Sequence, residues 1–183
     1  MKLHMVMLGA TPPGRFTEQH DIFFGIGASL KELVPHMQAF WPEALGKIHI
    51  DAWREVTEAD GYRIEIVPKQ ENLQHEQLFF INLGGYRENE FEEYHYKVLA
   101  IGNTMAEASK KAKATTFYKH CGFKGAESHI DDRFGIDVDD IYNVGDILPE
   151  AFRNNYSLKI IRGENAEKDL FHIGYVKIEK LLK

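Results

Sequence analysis

The pattern of apolar and polar positions along the chain predicts mostly strands, with a few helices between them. Residues 3–8 form a short apolar run of Leu, Met and Val broken only by His4, as in a buried strand. Thr11-Pro12-Pro13-Gly14 is loop chemistry. From 18 to 27 the period becomes two. Glu18, His20, Ile22, Phe24 and Ile26 share one face of a second strand, which Gly27 ends. Ser29-Leu30-Lys31-Glu32 then has the form of a capping box. Leu30, Leu33, Val34, Met37, Phe40 and Trp41 follow at helical spacing. Pro35 is expected to kink this helix or mark a restart, and Pro42 to stop it. Residues 48–56 alternate again, with Ile48, Ile50, Ala52 and Val56 on one face and His49, Asp51, Trp53 and Glu55 on the other. Asp60-Gly61 is a hairpin turn signal, and Tyr62–Ile66 reads as the returning strand.

The pattern then recurs. Shifted by 75 positions, residues 3–32 lie over 78–107 without a gap and with nine identities: Leu3/Leu78, Leu8/Leu83, Gly9/Gly84, Phe16/Phe91, Glu18/Glu93, His20/His95, Ile26/Ile101, Gly27/Gly102 and Glu32/Glu107. Thr104-Met105-Ala106-Glu107 repeats the capping box. Further on the shift becomes 80, which sets His49-Ile50-Asp51 over His129-Ile130-Asp131, and Asp60 and Tyr62 over Asp140 and Tyr142. The expected organisation is a first repeat over 1–70, a second over 76–150, and a C-terminal hairpin extension over 151–183 with strands at Ser157–Ile161 and Phe171–Ile178. The expected class is α+β, a tandem duplication of a strand-strand-helix-strand-strand unit. Its sheets are mostly antiparallel, with helices on one side. The repeats are expected to pack by pseudo-twofold symmetry as one globular unit, each covering the other's sheet.

Composition narrows the class. The chain has 183 residues with 44% hydrophobic and 27% charged, which excludes disorder and fibres. Its single cysteine, Cys121, excludes a disulfide scaffold and a CxxC zinc site, and a reducing cytoplasm fits best. With 22 basic and 28 acidic residues the net charge is −6, which argues against a dedicated nucleic-acid binder. No apolar run approaches the roughly 18 residues of a membrane span. The first ten residues superficially resemble a signal peptide, but a removable leader would not be duplicated inside the chain. They are expected to be a buried strand of a cytoplasmic protein.

The segments Glu18-Gln19-His20-Asp21-Ile22-Phe23-Phe24-Gly25-Ile26-Gly27, His49-Ile50-Asp51-Ala52-Trp53 and Asp60-Gly61-Tyr62 resemble the bacterial family of uncharacterised proteins catalogued as Domain of Unknown Function 1543. The resemblance covers both repeats, about residues 1–150, and implies a bacterial cytoplasmic protein carrying the domain twice. It implies no substrate and no catalytic residue. The second repeat departs from the first, with Tyr94 and Tyr96 in place of Gln19 and Asp21, and Asp132-Arg133 in place of Ala52-Trp53.

The candidate chemistry is a set of polar residues present in both repeats: Glu18, His20, His49 and Asp51, and Glu93, His95, His129 and Asp131. Each pair is two apart on a strand and so shares a face. If the strands are neighbours the pairs converge. Two imidazoles and two carboxylates suit a divalent cation such as Zn²⁺, Mn²⁺ or Fe²⁺. The same groups can act as general acid and base. They can equally satisfy one another and pin strand register, the commoner role for such pairs. Trp53, expected beside His49 and Asp51, would line a pocket or a homodimer contact.

Other features weigh less. Arg15 on the Pro-Pro-Gly loop could meet an anion, but the second repeat lacks it. Gly25-Ile26-Gly27 lacks the third glycine of a phosphate loop. Lys110, Lys111, Lys113 and Lys119, with Phe117 and Tyr118, make the second helix basic and could meet RNA or an acidic partner, although a solvated face is the commoner outcome. His120 beside Cys121 is no dyad by adjacency alone. The leading expectation is a non-enzymatic protein binding a small ligand or metal. The alternatives are a metal-dependent enzyme using a His/carboxylate set and a protein or RNA adaptor using the basic helix.

Overall fold

The computed structural model describes residues 1–71, 73–86, 89–114, 136–163 and 168–182, with 136–139 as backbone. It is a mixed α/β structure of mostly antiparallel sheets with few helices. The chain divides into two units, one of 1–73 with 148–183 and one of 74–147.

In the first unit the apolar run becomes β1 (Lys2–Ala10), and the alternating segment becomes β2 (Gln19–Gly27). They pair antiparallel from Lys2↔Gly27 to Ala10↔Gln19. Helix α1 (Leu30–Phe40) returns across the sheet with Leu30, Leu33, Val34 and Met37 buried. It runs through Pro35 without a break, and Pro42 opens a separate 3₁₀ turn. Gly25 and Gly27 give the helix its close seat, because a Cβ at either would press on Leu33. Only half of the predicted capping box forms. The Ser29 side chain makes no cap bond, while the Glu32 carboxylate accepts from the Ala28 N–H.

β3 (His49–Glu55) pairs with the other edge of β1. Asp60 and Gly61, both at positive φ, then turn β4 (Glu58–Ala59) into β5 (Tyr62–Pro68). The C-terminal segment completes this unit. β9 (Tyr156–Arg162) pairs with β5, and β10 (His172–Lys177) pairs with β3. The result is a four-stranded sheet in the order β10-β3-β1-β2 and a three-stranded sheet in the order β4-β5-β9.

In the second unit β6 (Gln77–Tyr86) lies between β7 (Glu93–Gly102) and β8 (Ile136–Asn143), both antiparallel to it. Helix α2 (Met105–Lys113) buries Ala108 and Ala112 against Phe79, Ile81, Leu83 and Ala100. Its start is capped from both sides: Thr104 Oγ1 accepts from Glu107 N–H, and the Glu107 carboxylate accepts from Asn103 N–H. Asp140 and Tyr142, which the 80-position shift sets over Asp60 and Tyr62, lie within β8, opposite Asn82 and Phe80.

Candidate functional site

β1, β2 and β3 bring four of the predicted residues into one cluster. Gly9 sits at its centre, opposite His20 of β2 on one side and His49 of β3 on the other. Directly opposed residues share a face of a sheet, so both imidazoles stand over Gly9. Glu18, two residues before His20 and just ahead of β2, adds its carboxylate.

Asp51 joins through an irregularity the alternation did not reveal. Leu8 pairs with Ile50 and Met7 with Ala52, so Asp51 is the extra residue of a β-bulge. A bulge re-aims the strand beyond it. Asp51 stays on the face of His49, while Trp53 is carried to the other face. There its ring lies 6.3 Å from that of His4 and stacks at 3.9 Å on that of His172. Trp53 is therefore not brought into the cluster.

The contacts are close. His49 Nε2 is 2.9 Å from Glu18 Oε1 and 3.2 Å from Asp51 Oδ2. His20 Nε2 is 3.3 Å from Asp51 Oδ2 and 3.6 Å from Glu18 Oε2. Yet His49 Nε2 and Asp51 Oδ2 are buried atoms, and neither is aligned in a hydrogen bond. Nor is there room for a side chain at Gly9, where a Cβ would overlap His49 Nε2 and Asp51 Oδ2. Tyr175 of β10, absent from the sequence-predicted set, packs its ring 4.5 Å from that of His49. No sequence signal links the two, because the pairing of β10 with β3 joins segments more than a hundred residues apart.

As they stand, the described residues include no group of three or more His, Cys, Asp or Glu side chains placed so that it could hold a metal ion. The four N···O separations nevertheless straddle the edge of a tetrahedral zinc site, roughly 3.3 Å for metal–ligand bonds near 2.0–2.1 Å. Glu18 and His20 are the more exposed members.

In the second unit Glu93 and His95 stand together, His95 Nε2 lying 4.0 Å from Glu93 Oε2. His95 is opposite Gly84, and Asp137 occupies the register position across Gly84 on β8. His129 and Asp131 lie outside the described residues, as do Phe117, Tyr118, Lys119, His120 and Cys121. On α2 the Lys111 ammonium donates to the Ile101 carbonyl at 2.6 Å, so this cation is engaged by its own unit. No helix among the described residues is long and apolar enough to cross a membrane.

Residues 15–66 match the family model described as Domain of Unknown Function (DUF1543), a span that includes Glu18, His20, His49 and Asp51. Among solved structures the chain is similar to the crystal structure of a protein Il1583 from Idiomarina loihiensis. The two share 24% identity over 95% of this chain and 94% of that one, with a TM-score of 0.64. That likeness shows the fold. No protein with a curated description matches the chain.

Proposed function

We propose that the Glu18–His20–His49–Asp51 cluster binds one divalent transition cation, of the Zn²⁺, Mn²⁺ or Fe²⁺ class, and that the protein is a cation- or small-ligand-binding protein built on this site. One observation carries the reading. His49 Nε2 and Asp51 Oδ2 are buried, lie within 3.2 Å of each other, and are not aligned as a hydrogen bond. Buried polar atoms left in that state are costly, and a cation between them satisfies both. Two nitrogen and two oxygen donors match the preferences of these ions.

We further propose that the two units arose by tandem duplication in a cytoplasmic bacterial protein. The strand order β3-β1-β2 has its counterpart in β8-β6-β7, and each central strand has a glycine opposite the histidine of an E-x-H pair. By that register, the position of His49 corresponds to Asp137 rather than His129.

The test is elemental analysis and calorimetry on chain purified without an affinity tag or chelator. The expected result is about one equivalent of Zn, Mn or Fe, lost in both His20→Ala and His49→Ala while the fold is retained. No bound metal, and no thermal shift with added divalent ions, would assign the histidines to holding strand register. Turnover of a substrate by the metal-loaded chain would move the protein to the metal-dependent enzymes, a reading favoured by the exposed Glu18–His20 side of the cluster.

A further inference from the structure

Phe16 and Phe91 are completely exposed, at 104% and 109% of the reference area. Each precedes the glutamate of an E-x-H pair by two residues, Phe16 before Glu18 and His20, Phe91 before Glu93 and His95. Other residues shared at the 75-position shift have evident roles in folding. Leu3, Leu8, Ile26, Leu78, Leu83 and Ile101 are buried. Gly27 and Gly102 clear the way for a helix start, and Glu32 and Glu107 accept backbone N–H groups there. The two phenylalanines have no such role. A ring left wholly in water forgoes the stabilisation that burial gives it. Its presence beside both E-x-H pairs calls for something that covers the ring at those places.

The cluster shows where that would be. His49 and Asp51 have side chains 12% and 21% exposed, whereas Glu18 and His20 are 45% and 41% exposed. The open side is thus the start of β2, the end from which the Phe16 loop leaves. The loop is open to solvent at its turn: Gly14, at φ +81°, has no atom within 4 Å of where its Cβ would lie. Arg15 adds a positive charge beside Phe16.

We propose that Phe16 is the apolar recognition residue of the cation site, and that the site takes a small metal-coordinating oxygen anion of the carboxylate or hydroxamate type carrying an apolar body. The anionic group goes to the cation and the apolar body goes against the Phe16 ring. The proposal rests on the cation reading above, and its test separates the two.

The full chain is loaded with Co²⁺, and its visible spectrum is followed while benzohydroxamate or acetohydroxamate is added. Wild type is expected to bind benzohydroxamate about tenfold more tightly than acetohydroxamate, the scale of partly burying one aromatic ring. Phe16→Ala is expected to erase that preference while its Co²⁺ affinity and melting temperature stay at wild-type values. Equal binding of the two probes by wild type, binding of neither, or a preference that survives Phe16→Ala overturns the proposal and leaves the cation site standing. Failure of wild type to bind Co²⁺, or Co²⁺ binding that survives both His20→Ala and His49→Ala, overturns the cation reading and this proposal with it.

Discussion

Gly9 of β1 lies directly opposite His49 of β3, and the absence of a side chain at Gly9 is what admits the His49 imidazole and the Asp51 carboxylate to the same place. A methyl group there would meet both polar side-chain ends head on, and the His49 ring, packed against Tyr175, would have to shift. Gly9→Ala is therefore expected to destabilise the protein by about 1–3 kcal/mol, the usual cost of forcing extra volume into a packed site. It should also abolish cation binding. Urea denaturation with and without Zn²⁺ checks both, since the variant should lose the stabilisation that the ion gives wild type.

The two histidines should differ when removed. His49 is mostly buried and packs against Tyr175, whereas His20 is well exposed. Both substitutions to Ala are expected to weaken Zn²⁺ binding by at least about 100-fold, the upper range for losing even a supporting group at a metal site. Only His49→Ala should also lower the stability of the metal-free chain, because only it empties a packed position. Thermal melts of chelator-treated protein separate the effects. A large destabilisation by His20→Ala in metal-free protein would count against its role as a ligand.

A second polar linkage holds the C-terminal segment. The Asp169 side chain is 1% exposed and 3.6 Å from the Arg54 guanidinium, and its Oδ1 accepts from both Thr57 N–H and Thr57 Oγ1–H. The Arg54 guanidinium also stands 5.0 Å over the Phe171 ring. Asp169→Ala removes two hydrogen bonds from Thr57 to a charged acceptor and one ion pair of Arg54, together roughly 1–3 kcal/mol. Asp169→Ala is expected to destabilise on that scale and to raise amide exchange along β10. Equilibrium unfolding and hydrogen exchange provide the check.

Much of this arrangement was legible in the sequence. Period-two alternation placed Glu18 and His20 on one face of β2, and the i, i+2 spacing did the same for His49 and Asp51. Asp60-Gly61 specified its tight turn because both residues accept positive φ. Trp53 was not legible, because alternation presumes an unbroken strand and one bulged residue at Asp51 reverses the face of everything after it. Nor was the attachment of β9 to β5 and of β10 to β3, which depends on long-range backbone pairing that side-chain pattern does not encode. The same limit applied to Asp140 and Tyr142. The matching Asp-x-Tyr sets them over Asp60 and Tyr62, while backbone pairing with β6 places both inside β8.

His4 gives the remaining prediction, one about pH. It is buried at 1% exposure on β1, opposite Gly25 and Glu55, and its Nε2–H donates to the Gly27 carbonyl at 3.3 Å. Burial pushes its pKa below the ordinary 6.5, and the bond to Gly27 only partly opposes this. The unfolded chain therefore takes up a proton at this residue before the folded one does. Its neutral form costs nothing above pH 6.5. As the pH falls from 6.5 toward the lowered pKa, stability declines by at most about 1.4 kcal/mol per pH unit, the limit for one proton. Below the lowered pKa the loss is complete and this residue adds no further slope. His4→Phe keeps a ring against Trp53 and removes the titration. Urea midpoints measured from pH 7.5 down to pH 4.5 should show wild type falling more steeply than His4→Phe below pH 6.5. Parallel curves would mean that the ring is protonated as readily in the folded chain as in the unfolded one.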